Sequence, residues 1–229
     1  MVSTTSPRER WWDAATLRSW AVDANDGIIA TAGILEGFAG AGASDNVLVV
    51  AAAAATVAGA LSLGGTTWAE ASAEREAQLI IAAEESAALA AHPDDEIAEL
   101  TAYYERKGLD AALARQVAEQ LSERDALRAQ LESEYGIDDV MSIGETVGAG
   151  VGAGVAFLVG AIIPLLITIF VPGALETWAI LIVVALSLGL IAVIAARTGR
   201  VSLTRTLVRS LSVGVGTMIV SWLVGALVF

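Results

Sequence analysis

Residues 24–42 read ANDGIIATAGILEGFAGAG, an apolar, glycine-rich run with Asp26 near its start and Glu36 inside it. Crossing the hydrocarbon core of a bilayer as a helix takes ~20 mostly apolar residues, and the stretch from about 21 to 43 is long enough. Carboxylates are costly in such a helix, and where they occur they face a protein interior, a water-filled cavity or an ion route. Reading this run as a membrane helix with built-in charge, or as something else, decides the fold.

The rest of the chain favours the membrane helix. Of the 229 residues, 55% are hydrophobic, and four further stretches, 47–69, 147–171, 176–196 and 207–229, are long and apolar enough to span. The last three are plain, with FLVGAIIPLLITIFV, WAILIVVALSLGLIAVIAA and VGTMIVSWLVGALVF, whereas the first two are rich in Gly and Ala, as closely packed membrane helices are. Gly144, Gly148 and Gly152 recur every fourth residue at the start of the third span, with Gly150 and Gly154 offset by two, which predicts a tight helix contact there. The expected fold is all-α: a polytopic membrane protein of five transmembrane helices, with a three-helix cytosolic domain inserted between helices two and three.

That insertion is visible as charge. Residues 70–145 hold 19 of the 26 acidic side chains and 6 of the 13 basic ones, and the remainder carries 7 of each, so all of the net charge of −13 lies in one block. Such a block repels nucleic acid and attracts cations. With no cysteine, disulfides and thiolate metal ligands are excluded. Three helices are legible in the block: EREAQLIIAAEESAALAA continuing from span two, PDDEIAELTAYYERKG opening on Pro93 and closing at Gly108, and DAALARQVAEQLSERDALRAQLESEYG running to Gly136. In the third, Leu113, Val117, Leu121, Leu127 and Leu131 mark the expected buried stripe.

Residues 1–20 have no continuous apolar core of a signal peptide. Trp11, Trp12 and Trp20 beside Arg8, Arg10 and Arg18 suit a short amphipathic helix at the membrane surface, or a partly ordered tail. Lys and Arg collect on the cytosolic side of short loops. The loops at 42–47 and 171–177 have neither, only Asp45 and Glu176, while the N-terminal tail and the 197–209 loop with Arg197, Arg200, Arg205 and Arg209 are basic. The N-terminus and the acidic block are therefore expected in the cytosol, and the C-terminus opposite.

Asp26 is the first candidate for chemistry, roughly 8 Å into its span; its plainer reading is a helix-end residue at the headgroup level or an N-cap beside Gly27. Glu36, ~15 Å further along the axis, would otherwise have to snorkel to the far surface. In the acidic block a helical hairpin turning at His92-Pro93 brings Glu85 to the height of Glu96 and Glu99, which share a face. Clustered carboxylates without cysteine suit Mg²⁺, Mn²⁺ or Fe²⁺, although an acidic helix surface is most often simply solvated. His92 reads as a loop residue. No phosphate-binding loop and no Ser/His/Asp set supports hydrolysis, so an enzyme is not expected.

ANDGIIATAGILEGFAGAG, the GALSLGG of span two, HPDDEIAELTAYYERKGLDAALARQVAEQL and the GAIIPLL of span three, in this order and spacing, resemble the vacuolar iron transporter family over nearly the whole chain from about residue 21. The resemblance implies five transmembrane helices, a helical cytosolic metal-binding domain, and export of Fe²⁺, often Mn²⁺, from the cytosol in exchange for protons by a homodimer with the ion path at the subunit interface. It assigns Asp26 as a path ligand and Glu85, Glu96, Glu99 and, through a gapped alignment, Glu134 as metal ligands. Leu63 replaces the family's second-span methionine, Ala55 a carboxylate of plant relatives, and Ala88 a further glutamate. Glu36 and Glu70 are expected to compensate, Glu70 lying ~10 Å from Leu63 toward the cytosol.

The expected function is thus a divalent-metal/proton antiporter of the cell membrane, with metal ions, protons, lipid and a second copy of the chain as partners and no nucleic acid. Two alternatives remain at this point: a membrane-tethered metal sensor or storage protein that moves nothing, and an antiporter or channel for another ion.

Overall fold

The computed structural model describes residues 14–171, 173–199 and 202–228. Among them every regular element is helical: α1 (Ala14–Gly40), α2 (Asp45–Ala91), α3 (Pro93–Arg106), α4 (Ala111–Gln130) followed by a π-helical turn (Leu131–Tyr135), α5 (Ile143–Phe170), α6 (Gly173–Gly199) and α7 (Leu203–Val228). The contacts divide the chain into two units, one of residues 1–67 with 149–229, the other of residues 68–148.

In the first unit the core is a seam of residues one helical turn apart. Ile28, Ala32 and Leu35 of α1 meet Leu48 and Ala52 of α2, Ile180, Val184 and Leu188 of α6, and Met218 of α7. The opposite faces are equally apolar. On α6, Ile182, Leu186 and Leu190 are 58%, 68% and 62% exposed, and Val151, Val155 and Val159 of α5 form a second outward row. A helix that is hydrophobic all round needs an apolar solvent. Three helices, α2, α5 and α7, are long and apolar enough to cross a bilayer, and the Trp178–Ile194 part of α6 is a shorter apolar helix. The chain is therefore an integral membrane protein. Asp23, Asp26 and Glu36 set α1 apart from the three clear candidates.

Backbone meets backbone where these helices cross. A Cβ on Gly160 of α5 would strike the Ala24 carbonyl of α1, one on Gly27 the Phe157 carbonyl, and one on Gly225 of α7 the Gly37 carbonyl. The expected glycine contact of α5 is present, and the Gly150/Gly154 series makes it. A Cβ on Gly154 would stand 3.0 Å from the Ala60 carbonyl oxygen and one on Gly64 2.9 Å from the Gly150 carbonyl oxygen, whereas one on Gly152 would meet the Trp20 indole and one on Gly144 only the Ser142 hydroxyl, at 3.8 Å. At ~100° per residue an offset of two turns a glycine to the other side of the helix, so the pair at 150 and 154 faces α2 while Gly152 faces Trp20 of α1.

Other boundaries moved as well. Trp20 and Arg18, expected in a separate surface helix, belong to α1, which begins at Ala14 and runs on unbroken; residues 1–13, with Arg8, Arg10, Trp11 and Trp12, lie outside the described residues, as do Arg200 and the side chain of Glu176. Helix α2, by contrast, spans 47 residues without a break, so EREAQLIIAAEESAALAA continues from the GALSLGG stretch as its sequence suggested. At α4 the expected stripe holds in part: Leu131 is buried and Val117, Leu121 and Leu127 are half-buried, but Leu113 is 47% exposed, and Ala114, Ala118, Ala129 and Gln130 complete the buried face. Small alanines let α4 approach α3 closely, with Leu100, Ala118 and Ala129 at the centre of the contact. Asp125, with extended backbone angles inside α4, resets the helical phase between its two halves.

Candidate metal-binding cluster and membrane carboxylates

Helix α3 starts where the sequence places it, with Pro93 in the first turn and His92 exposed in the cap position. Proline needs no hydrogen-bond partner there and its fixed φ suits the helix. One turn on, Glu96 is buried beside Leu100. Asp110 caps α4 by accepting a hydrogen bond from the Leu113 amide at 3.0 Å. At its far end α4 widens into the π-turn that carries Glu134, closed by Gly136 at φ 68°, a left-handed conformation that favours glycine.

These elements bring four of the expected ligands together. Glu85 from the last part of α2 is only 6% exposed, and one of its carboxylate oxygens, Oε1, is buried without a hydrogen-bond partner. Burial, a hydrogen bond shared with the Glu96 carboxyl, and the charges of Glu96, Glu134 and Glu99 push its carboxyl up to about 7. Glu134 is also held above the usual carboxylate range, first by lost hydration, then by a hydrogen bond to Glu99 and by the Glu99 and Glu96 charges, with a bond to Tyr135 pulling the other way. The four carboxyls thus stand as two neighbouring pairs, Glu85 with Glu96 and Glu134 with Glu99.

Beside the second pair lies an open cavity of about 660 Å³, with Glu99 and Glu134 on its wall and Tyr103, Arg106, Lys107 and Ser133 completing it. The Lys107 ammonium stands 5.2 Å from the Tyr103 ring centre. Among the described residues no three carboxylate or imidazole groups converge tightly enough to grip an ion as they stand. The four glutamates are neighbours in two pairs, not a closed ligand sphere.

The carboxylates of α1 are arranged differently. Glu36 is 5% exposed inside the first unit, while Asp26 points to the outside of the single chain although its neighbours Gly27 and Ile28 are buried. Leu63, at the position of the missing methionine, packs against the cluster of Ala60, Phe157 and Ala161. Glu70 belongs to the second unit and is exposed on α2.

Two participants escaped the sequence reading. Gln130, 1% exposed, donates from Nε2 to the Glu96 backbone oxygen at 2.6 Å and to Glu96 Oε2 at 3.0 Å. Tyr135 bonds to Glu134. The available signal was Gln130 itself, a polar residue between Ala129 and Leu131 on the inward side of α4.

Comparison with known proteins gives the same answer as the motifs. The chain is 30% identical over 159 residues to a protein named "Vacuolar iron transporter" from Acanthamoeba castellanii (strain ATCC 30010 / Neff), an alignment covering 69% of this chain and 58% of that relative. The chain thus spans a little over half the length of the curated relative it matches. The family described as "VIT family" matches residues 17–226, and on that match, which takes in both the membrane helices and the glutamate cluster, the chain belongs to the VIT family.

Proposed function

We propose that this protein exports divalent metal, Fe²⁺ or Mn²⁺, from the cytosol in exchange for protons, and that it works as a homodimer in the cell membrane. In this reading α1, α2, α5, α6 and α7 all span the bilayer, and residues 70–145 form the cytosolic metal-binding domain. Residues 1–20 and the acidic domain share the cytosolic side. Glu85, Glu96, Glu99 and Glu134 gather the ion, Glu70 stands at the entrance, and Asp26 and Glu36 pass the ion across beside Leu63.

The observation that carries the proposal is Glu85, a buried carboxyl with an orphaned oxygen, titrating at about 7 among three other glutamates. A group that holds a proton at neutral pH and prefers a cation when one arrives releases that proton on binding, because both compete for the same oxygens. Exposure of Asp26 on a single chain supports a path lined by two subunits, since a carboxylate at membrane depth is not left facing lipid.

The test is flux in proteoliposomes loaded with Fe²⁺ or Mn²⁺, with and without a pH gradient. Metal movement accelerated by an opposing proton gradient is expected. Binding without flux would instead make the protein a tethered sensor or store, and flux of other cations alone would leave an antiporter of different selectivity.

A further inference from the structure

The second unit contains a buried amide aimed at one member of the glutamate cluster. Gln130 is 1% exposed, and its Nε2 reaches two acceptors of one residue, the Glu96 carbonyl oxygen at 2.6 Å and Glu96 Oε2 at 3.0 Å. An amide nitrogen has two hydrogens and no acceptor capacity, so both are committed and the orientation of the amide is fixed by its partners. Ser133 holds the base of the same residue by donating to the Gln130 backbone oxygen at 3.1 Å. The clamp joins the first turn of α3 to the end of α4, just before the π-turn that carries Glu134.

We infer that Gln130 is a positioning residue: it holds the Glu96 carboxylate in one rotamer so that its remaining lone pairs, together with the orphaned Oε1 of Glu85, face an incoming divalent cation. A lysine or arginine at this place would neutralise Glu96 and compete with the metal, and an aliphatic side chain would take from the buried Glu96 Oε2 the donor that fixes it. A neutral double donor does neither: it orients Glu96 and keeps its negative charge. Partners of this kind change metal affinity by ~10–100-fold although they never touch the ion. The inference rests on the reading of the glutamate cluster as a metal site.

The experiment is a double-mutant cycle on the full-length protein in detergent, with Mn²⁺ affinity and the thermal unfolding of the metal-free protein measured side by side. Gln130→Leu is expected to weaken Mn²⁺ binding ~10–100-fold in the otherwise native chain, and less than about twofold when Glu96→Gln is already present, because the amide then has no charge to position. Equal losses in both backgrounds, or no loss in the native one, would overturn the positioning role. A loss that follows unfolding temperature and not the Glu96 background would mark Gln130 as a packing residue and overturn it too. Should Gln130→Leu not fold, Gln130→Asn, polar but one methylene too short to reach, carries the same prediction. If Glu96→Gln alone binds Mn²⁺ as the native protein does, the metal site itself fails, an outcome separate from failure of the clamp.

Discussion

The membrane unit and the acidic unit bury their polar groups by opposite means. In the first, helices approach until backbone touches backbone at Gly27, Gly160, Gly225 and the Gly64/Gly154 pair, beside a seam of apolar side chains. Its buried carboxylate, Glu36, is flanked in sequence by Leu35, Gly37 and Phe38. In the second, the apolar centre is little more than Leu100, Ala118, Ala129 and their neighbours, and carboxyls are buried next to one another. The contrast shows where each unit's fixed cost lies. Between lipid-facing helices there is no hydrophobic drive to associate, so close packing must hold them. In the acidic unit, packing need only be good enough to hold charges together that would otherwise repel.

Breaking the first half of the comparison should have the largest effect. Gly160→Val forces a branched side chain into the Ala24 carbonyl, an obstacle that no rotamer can move. A destabilisation of ~3 kcal/mol or more is expected, read as loss of monodisperse protein on size-exclusion chromatography. A variant that elutes and melts like the native chain would show that the crossing is not tight.

Next in size is a change that spares folding and stops work. Asp26→Asn keeps shape and removes the exposed charge of α1, so the variant should purify normally and show no metal flux in proteoliposomes. Native flux would remove Asp26 from the path and move the exchange chemistry into the acidic unit.

The acidic unit should reveal itself through pH. Glu85 titrates at about 7 in the folded chain against an ordinary value of 4.5, because burial and its carboxylate neighbours favour the protonated form. Between those values the folded state holds a proton that the unfolded state has lost. Its contribution to stability is therefore complete below the lower value and disappears as the pH rises through about 7. The melting temperature of metal-free protein should fall between pH 5 and pH 8, and Glu85→Gln, neutral throughout, should flatten that fall. Mn²⁺ should reverse it, binding more tightly as the pH rises. An identical pH profile in Glu85→Gln would mean that Glu85 does not hold its proton to neutral pH in the folded chain.

The smallest effect is a control. A Cβ added to Gly216 of α7 would meet nothing within 4 Å, so Gly216→Ala should be neutral or stabilising by up to about 1 kcal/mol. A large loss there would mean that a second copy of the chain covers this side of α7.

The sequence by itself determined that the chain is helical, that long apolar segments flank an acidic helical insertion, and that Pro93 opens a new helix at the hairpin. Those features depend on local composition and on residues whose backbone preferences survive in any context. It also offered Glu85, Glu96 and Glu99 as ligand candidates, since the hairpin fixes which residues share a height, whereas Glu134 came only from the resemblance to the family. Tertiary structure alone decided the rest. Which glycines touch depends on the crossing points of two helices, so the spacing of four was legible and the contacting pair, 150 and 154, was not. Leu121 and Leu131 of the expected α4 stripe face the core, but Ala114, Ala118 and Ala129 share it and Leu113 does not, because the closeness of α3 favours small residues and helical periodicity is blind to that. Glu85 and Glu134 owe their raised carboxyls, and Glu96 its amide clamp, to neighbours up to dozens of residues away in the chain; burial and proximity are properties of the assembled fold, and no single segment carries them.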